Sequence, residues 1–173
     1  NISIGFESHT RLTTGIHNIA MGFNAHGQNT VTGNYNVAIG YFALGDDGGG
    51  NNNVAIGYRA GRDQIGVSGS VFVGEDAGHS VSTGQQNIAI GKDAMHGGTT
   101  TGDNNIAIGV GAGDTLTSGY SNILIGKDAG DRLDTGYSNV AIGEGAGDNM
   151  NSANSNVAVG TSALSATDDG VSN

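Results

Sequence analysis

Branched apolar and small residues alternate in short bursts along this chain, and each burst is closed by glycine: Ile19-Ala20-Met21-Gly22, Val37-Ala38-Ile39-Gly40, Val54-Ala55-Ile56-Gly57. Alternation with a period of two predicts a β-strand, and a burst of three or four residues predicts a very short one. The bursts recur at a nearly fixed step. Their closing residues are Gly5, Gly22, Gly40, Gly57, Gly74, Gly91, Gly109, Gly126, Gly143 and Gly160, separated by 17 or 18 residues, and a fixed period of this size is the mark of a solenoid. A strand this short cannot stand alone. Stacked coil over coil about 4.8 Å apart, however, parallel strands complete each other's hydrogen bonds. No copy shows helical periodicity, so the expected fold is all-β: a narrow parallel β-solenoid, or β-roll, of about ten coils.

Numbered from its first residue, each copy has Asn at position 1, with Ser70 the exception, and Ile or Val at position 2. Position 4 is Ile or Val except for Met21, position 5 is Gly, and position 8 is Ala except for Ser8. A Thr-Gly or Ser-Gly pair closes most copies, as at Thr32-Gly33 and Ser118-Gly119. Gly at two corners fits a chain that turns tightly there. Asn at position 1, stacked over its equivalents, predicts a ladder of side-chain amides. On the alternation, positions 2 and 4 are expected to point inward and position 3 outward. Position 3 is uncharged throughout and small in most copies. An outward stripe of this kind predicts a subunit interface through Ala20, Ala38, Ala55, Phe72, Ala89, Ala107, Leu124, Ala141 and Ala158, with tight packing beneath a loop of the same coil as the alternative.

The periodicity makes residues 1–173 one uninterrupted array, expected to be part of a longer fibre protein, with Asn173 opening an eleventh copy. Absence of Pro suits a backbone whose N–H groups serve ladders. The chain has no Cys, so neither disulfides nor thiolate metal sites are available. Six Lys plus Arg against sixteen Asp plus Glu give a net charge of −10, which opposes binding to a phosphate backbone. No apolar run approaches the roughly 20 residues of a membrane span, so neither nucleic acid nor membrane insertion by this segment is expected.

Asn-Val-Ala-Ile-Gly followed by x-x-Ala, as at Asn36 to Ala43, Asn53 to Ala60 and Asn139 to Ala146, resembles the head repeats of trimeric autotransporter adhesins. With its closing Thr-Gly, the longer unit also resembles repeats of phage tail fibres and related bacterial surface fibres. The resemblance covers every copy, although adhesin head repeats are shorter, nearer 14 residues. It implies a left-handed, homotrimeric β-roll outside the cell, on a virion tail fibre or a bacterial surface. Its implied role is structural and adhesive, extending or presenting a region that binds a host receptor, a cell-surface glycan or protein.

Candidate chemistry is sparse. Position 6 holds Phe6, Phe23, Tyr41 and Tyr58 in the first four copies and charged residues such as Glu75 and Lys92 later. The position must therefore reach water, and its aromatic run is either a ligand or partner surface or a stack that stabilises neighbouring turns. Asp114, Asp131 and Asp148 recur at position 10 and Asp76, Asp93 and Asp128 at position 7, which reads as a solvated acidic face or as calcium ladders. His9 with His26, and His79 with His96, fall at adjacent turns, where two imidazoles could share a metal. No catalytic constellation or cofactor motif stands apart from the repeat; the Gly-rich run at Gly109 to Gly113 lacks the helix of a dinucleotide fingerprint. The chain is expected to be non-enzymatic and to need no cofactor. Two other readings are an ice-binding solenoid, which needs an even Thr-rich face, and a filament of rods stacked end to end.

Overall fold

The computed structural model describes residues 1–166, so the expected eleventh Asn at position 173 lies outside the described residues. Ten strands follow one another without a helix: β1 (Ile2–Ile4), β2 (Ile19–Met21), β3 (Val37–Ile39), β4 (Val54–Ile56), β5 (Val71–Val73), β6 (Ile88–Ile90), β7 (Ile106–Ile108), β8 (Ile123–Ile125), β9 (Val140–Ile142) and β10 (Val157–Val159). They form a single parallel sheet in sequence order. Register is strict: Val37 pairs with Val54, Ala38 with Ala55 and Ile39 with Ile56, and every other pair of strands repeats the match. Each strand is thus one rung of a parallel β-solenoid, and positions stack on equivalent positions.

Position 5 shows why the motif ends in glycine. All ten residues have φ between 121° and 140°, a region that side chains rarely enter. In the nine coils from Gly5 to Gly143, a Cβ would also lie within 2.6 Å of backbone atoms of the glycine one coil on. The corner needs both the conformation and the missing atom.

The facing of the strand is the reverse of the expectation. Position 3 is inside: Ala20, Ala38, Ala55, Phe72, Ala89, Ala107, Leu124 and Ala141 are 0% exposed and Ala158 1%. Positions 2 and 4 are outside, with Ile4 at 55% and Val159 at 65% exposed and those of the central strands mostly half-buried. The position 3 stripe is therefore core and has no surface to offer another subunit. The reason is size. Inside each coil, position 3 shares the core with a second buried alanine at position 8, such as Ala43, Ala60 and Ala94, and a lumen bounded by two alanines has no room for two branched side chains. Branched residues still favour the strand, because their propensity reflects fit to a pleated surface, buried or not.

Departures from Ala at position 3 are matched by glycine at position 9. A Cβ on Gly78 would overlap the Phe72 ring, and one on Gly61 would lie 2.8 Å from it. Gly113 and Gly130 bracket Leu124 in the same way, at 2.8 and 2.7 Å. In other copies position 9 carries large buried residues such as Leu44 and Met95, and at Gly147, over Ala141, the space is taken by Met150. The core thus keeps its volume by exchanging bulk between the two positions.

Position 1 forms the expected amide ladder. Asn36 Nδ2 donates to the Gly50 carbonyl that ends its own coil (2.8 Å), while its Oδ1 accepts from the backbone N–H of Asn53 in the next (2.9 Å). Asn105, Asn122 and Asn139 repeat both bonds. Ser70 keeps only the second, its Oγ accepting from Asn87 N–H at 3.0 Å.

Two predictions follow from these contacts. Gly78→Ala is expected to cost about 2 kcal/mol through overpacking, and less in a Phe72→Ala background, because Leu44 and Met95 already hold positive φ at the equivalent position; a double-mutant cycle by urea unfolding measures the coupling. Asn122→Ala leaves the Gly136 carbonyl and the Asn139 N–H unsatisfied inside the stack and is expected to cost about 2–4 kcal/mol. Asn122→Ser, which mimics Ser70, should cost visibly less in the same unfolding series.

Candidate functional site

The outward sides of β1 to β10 make one continuous apolar face. Its columns are positions 2 and 4, twenty side chains of which nineteen are Ile or Val and one is Met21. Strands of three residues at about 3.3 Å and nine steps of about 4.8 Å give a rectangle of roughly 10 by 43 Å. That matches the largest apolar patches of ordinary monomers, which are often functional. No charged residue interrupts it.

Position 6, immediately after the strand and its corner glycine, forms a second column along the rod. The rings of Phe6, Phe23, Tyr41 and Tyr58 stack in order, with centroids 5.7, 5.1 and 5.3 Å apart and planes within 18° of parallel. Phe42 closes against Tyr41 at 4.6 Å and 54°, a tilted ring contact. Arg59 lies over the Tyr58 ring at 4.8 Å and is held by Asp76 at 2.7 Å; Arg62 lies over Phe42 at 5.4 Å. Higher up the rod the column changes to ion pairs, Lys92 with Glu75 at 3.2 Å and Lys127 with Glu144 at 3.6 Å. Sequence spacing had placed the four rings in one column, and the structure brings them into contact. Because the rings share their faces, mainly edges and the Tyr hydroxyls are offered to solvent.

Charge divides along the same axis. Residues 1–62 contain three acids and three bases, and the rest of the chain thirteen acids against three bases. Around Asp128, Asp131, Glu144 and Asp148 an open cleft also takes in Arg132, Thr161 and Ser162. Burial, followed by the charges of Asp114 and Asp148, pushes the Asp131 carboxyl up. Asp128 is paired with Lys127 at 3.0 Å, and Asp114 accepts the Gly97 N–H at 2.8 Å. Among the described residues no group of three or more His, Cys, Asp or Glu is placed to hold a metal ion.

The histidine pairs differ from each other. His9 Nε2 and His26 Nδ1 face one another at 3.2 Å inside the coil stack, so those two nitrogens are occupied by each other. His79 and His96 have ring centroids 5.4 Å apart, and each lies near a carboxylate, Asp63 at 3.6 Å and Asp114 at 3.7 Å.

Three features were not anticipated from the residues. The apolar outer face is one; its signal was the pair of near-invariant alanines per coil, which sizes the lumen. A second ladder runs one residue after the closing corner: Ile16 N–H donates to Asn34 Oδ1, Asn34 N–H to Asn51 Oδ1, and Ser68 N–H to Gln85 Oε1. The third is a stacked pair at the same place, Tyr120 and Tyr137, 4.9 Å apart and 2° from parallel. Asn, Gln, Ser and Asp share the second ladder without sharing a letter, which hid it.

No protein family, curated protein or solved structure was found to match this chain.

The ring column generates a prediction. Tyr41→Ala removes the two stacking contacts at the middle of the row and the tilted contact of Phe42, and is expected to cost about 1–3 kcal/mol by urea unfolding. Lys92→Ala, in the exposed ion-pair part of the same column, is expected to leave the urea midpoint nearly unchanged.

Proposed function

We propose that this chain is a non-catalytic rod segment of a homotrimeric extracellular fibre, a phage tail fibre or a bacterial surface adhesin. In that role it extends and presents a region that attaches to a cell-surface glycan or protein. The observation that carries the reading is the outward Ile and Val face. The strand side of the lumen is lined mainly by alanine, while twenty large apolar side chains stand on one flat side. Burying that side against copies of itself adds to the burial within the lumen.

Cyclic symmetry about an axis parallel to the rod keeps all copies pointing the same way, as a fibre requires. The number three, and a left-handed coil, rest on the resemblance of the repeat to adhesin heads and tail fibre repeats. In this reading the interface lies on positions 2 and 4. The ring column of Phe6, Phe23, Tyr41 and Tyr58 is the surface offered to a receptor, on the part of the rod whose charges balance. An ice-binding role needs an even Thr-rich plane; the flat face here is Ile and Val, so that role is not proposed.

Sedimentation equilibrium is expected to give three times the 17.2 kDa chain mass. Ile90→Lys and Ile108→Lys together place two charges on the face without touching the lumen and are expected to give monomers with unchanged far-UV circular dichroism. A wild-type chain that is monomeric at micromolar concentration would refute the assembly.

A further inference from the structure

We infer that the His9–His26 pair is an acid-sensitive latch between the first two coils, closed while both imidazoles are neutral and released when they take up protons. This does not depend on the proposed function. The two rings are stacked coil on coil and buried, His9 at 7% and His26 at 1% exposed. One hydrogen bond joins them, Nε2 to Nδ1 at 3.2 Å. A bond of this kind needs one donor and one acceptor nitrogen, and in the neutral pair the tautomers supply them. When both rings are protonated all four nitrogens carry hydrogen, so the facing atoms become two donors, each bearing positive charge. The other two nitrogens, His9 Nδ1 and His26 Nε2, are buried without a hydrogen-bond partner, and the one neighbouring group that favours a charge on either ring is the Asp47 main-chain carbonyl beside His26.

The surroundings give little compensation. Coil 2 contributes no charged residue, since none occurs between Asn18 and Tyr35 apart from the histidine itself. Glu7 and Arg11 of coil 1 line an open cleft on the outside. From coil 3, Asp46 lies by Arg62 at 3.7 Å, and Asp47 turns its carboxylate to the Gly50 N–H at 3.0 Å. The Asp47 main-chain carbonyl favours a charged His26, but burial and the neighbouring ring outweigh it and lower His26 to about 4. Burial likewise lowers His9.

The sign is fixed by these directions. Groups held below their ordinary value in the folded chain stabilise it above about pH 6.5, and that stability is lost as pH falls from 6.5 toward the folded value. Asp47, whose burial raises its carboxyl, acts oppositely and does not explain an acid opening. At the second histidine joint burial also lowers His79, but there the Asp63 and Asp76 carboxylates oppose the shift, which nothing charged does at His26. Solenoid coils contact only their neighbours, so one joint can open while the rest hold. Opening would separate Phe6 from Phe23 in the ring column.

The test is amide hydrogen exchange of the 173-residue chain at pH 7.0 and pH 4.5, corrected for intrinsic rates. With His26 at about 4, protection at Ile2, Gly22 and Asn24, whose N–H groups donate across the joint to the carbonyls of Asn18, Ile4 and Phe6, is expected to fall roughly 100-fold, while β7 and β8 hold. Leucine occupies the equivalent position 9 at Leu44, so His9→Leu with His26→Leu is expected to remove the pH dependence. Unchanged protection in coils 1 and 2, equal loss along the whole rod, or the same acid loss in the double variant would each overturn the latch. If the variant fails to fold, NMR titration of the wild-type imidazoles decides: uptake below the ordinary histidine range supports the latch, and titration near 6.5 overturns it.

Discussion

One side-chain amide per coil holds this fold in shape. A strand of three residues makes too few ladder bonds to be stable alone, and a coil of 17 residues with no Pro and many Gly loses much chain entropy on ordering. Asn at position 1 answers both problems at one point. Its Nδ2 ties the first residue of a coil to the carbonyl that ends it, and its Oδ1 ties that coil to the next, as Asn36 does with Gly50 and Asn53. The amide is buried in nearly every copy, so each bond is made where an unmade one costs most. Coil closure and coil stacking are therefore one event, and the exact one-to-one register of the strands follows from it.

The same closure fixes the width of the lumen, and the width decides what faces where. Position 3 and position 8 share the interior, and both are Ala in most coils. Phe72 and Leu124 enter only where flanking coils give up their side chains at Gly61, Gly78, Gly113 and Gly130. Strand positions, corner glycines, the amide ladder and the all-β parallel stacking were legible in the sequence because each is a matter of spacing, and spacing survives one-dimensional reading. The facing was not. Hydropathy alone assigns Ile and Val to the inside, and only the volume of the closed coil excludes them from it. The Phe6 to Tyr58 column was legible by its register, whereas the contacts of Phe42 and the facing nitrogens of His9 and His26 depend on backbone turns with positive φ at Phe42, His9 and His26, which no letter announces.

An interior built from alanine changes where stability must come from. Each coil hides two mostly small side chains at positions 3 and 8, with larger ones such as Leu44, Met95, Leu116 and Leu133 behind them, and leaves two large apolar ones on the outer side of the strand, so the strand itself turns its bulkier side away from the core. Backbone and amide hydrogen bonds carry the shape of a single chain, and its hydrophobic capacity points outward.

A face so regular also sets a problem for any assembly through it. Sliding one copy past another by a single coil replaces Val with Ile or Ile with Val and little else, so the face fixes orientation but barely fixes register. What can fix register must vary along the rod. Met21 is the only irregular residue on the face. Off the face, the position 6 column passes from four rings to the Glu75 and Lys92 pair, then to Val110 and the Lys127 and Glu144 pair. The column after the closing corner passes from Asn34 through Asp103 to the stacked Tyr120 and Tyr137. A one-coil slip leaves the apolar burial almost unchanged but shifts every one of these flanking residues relative to a neighbour. In an assembly through this face, affinity and register would fall to different columns of the same repeat, the first to the uniform positions 2 and 4 and the second to positions that the repeat leaves free to vary.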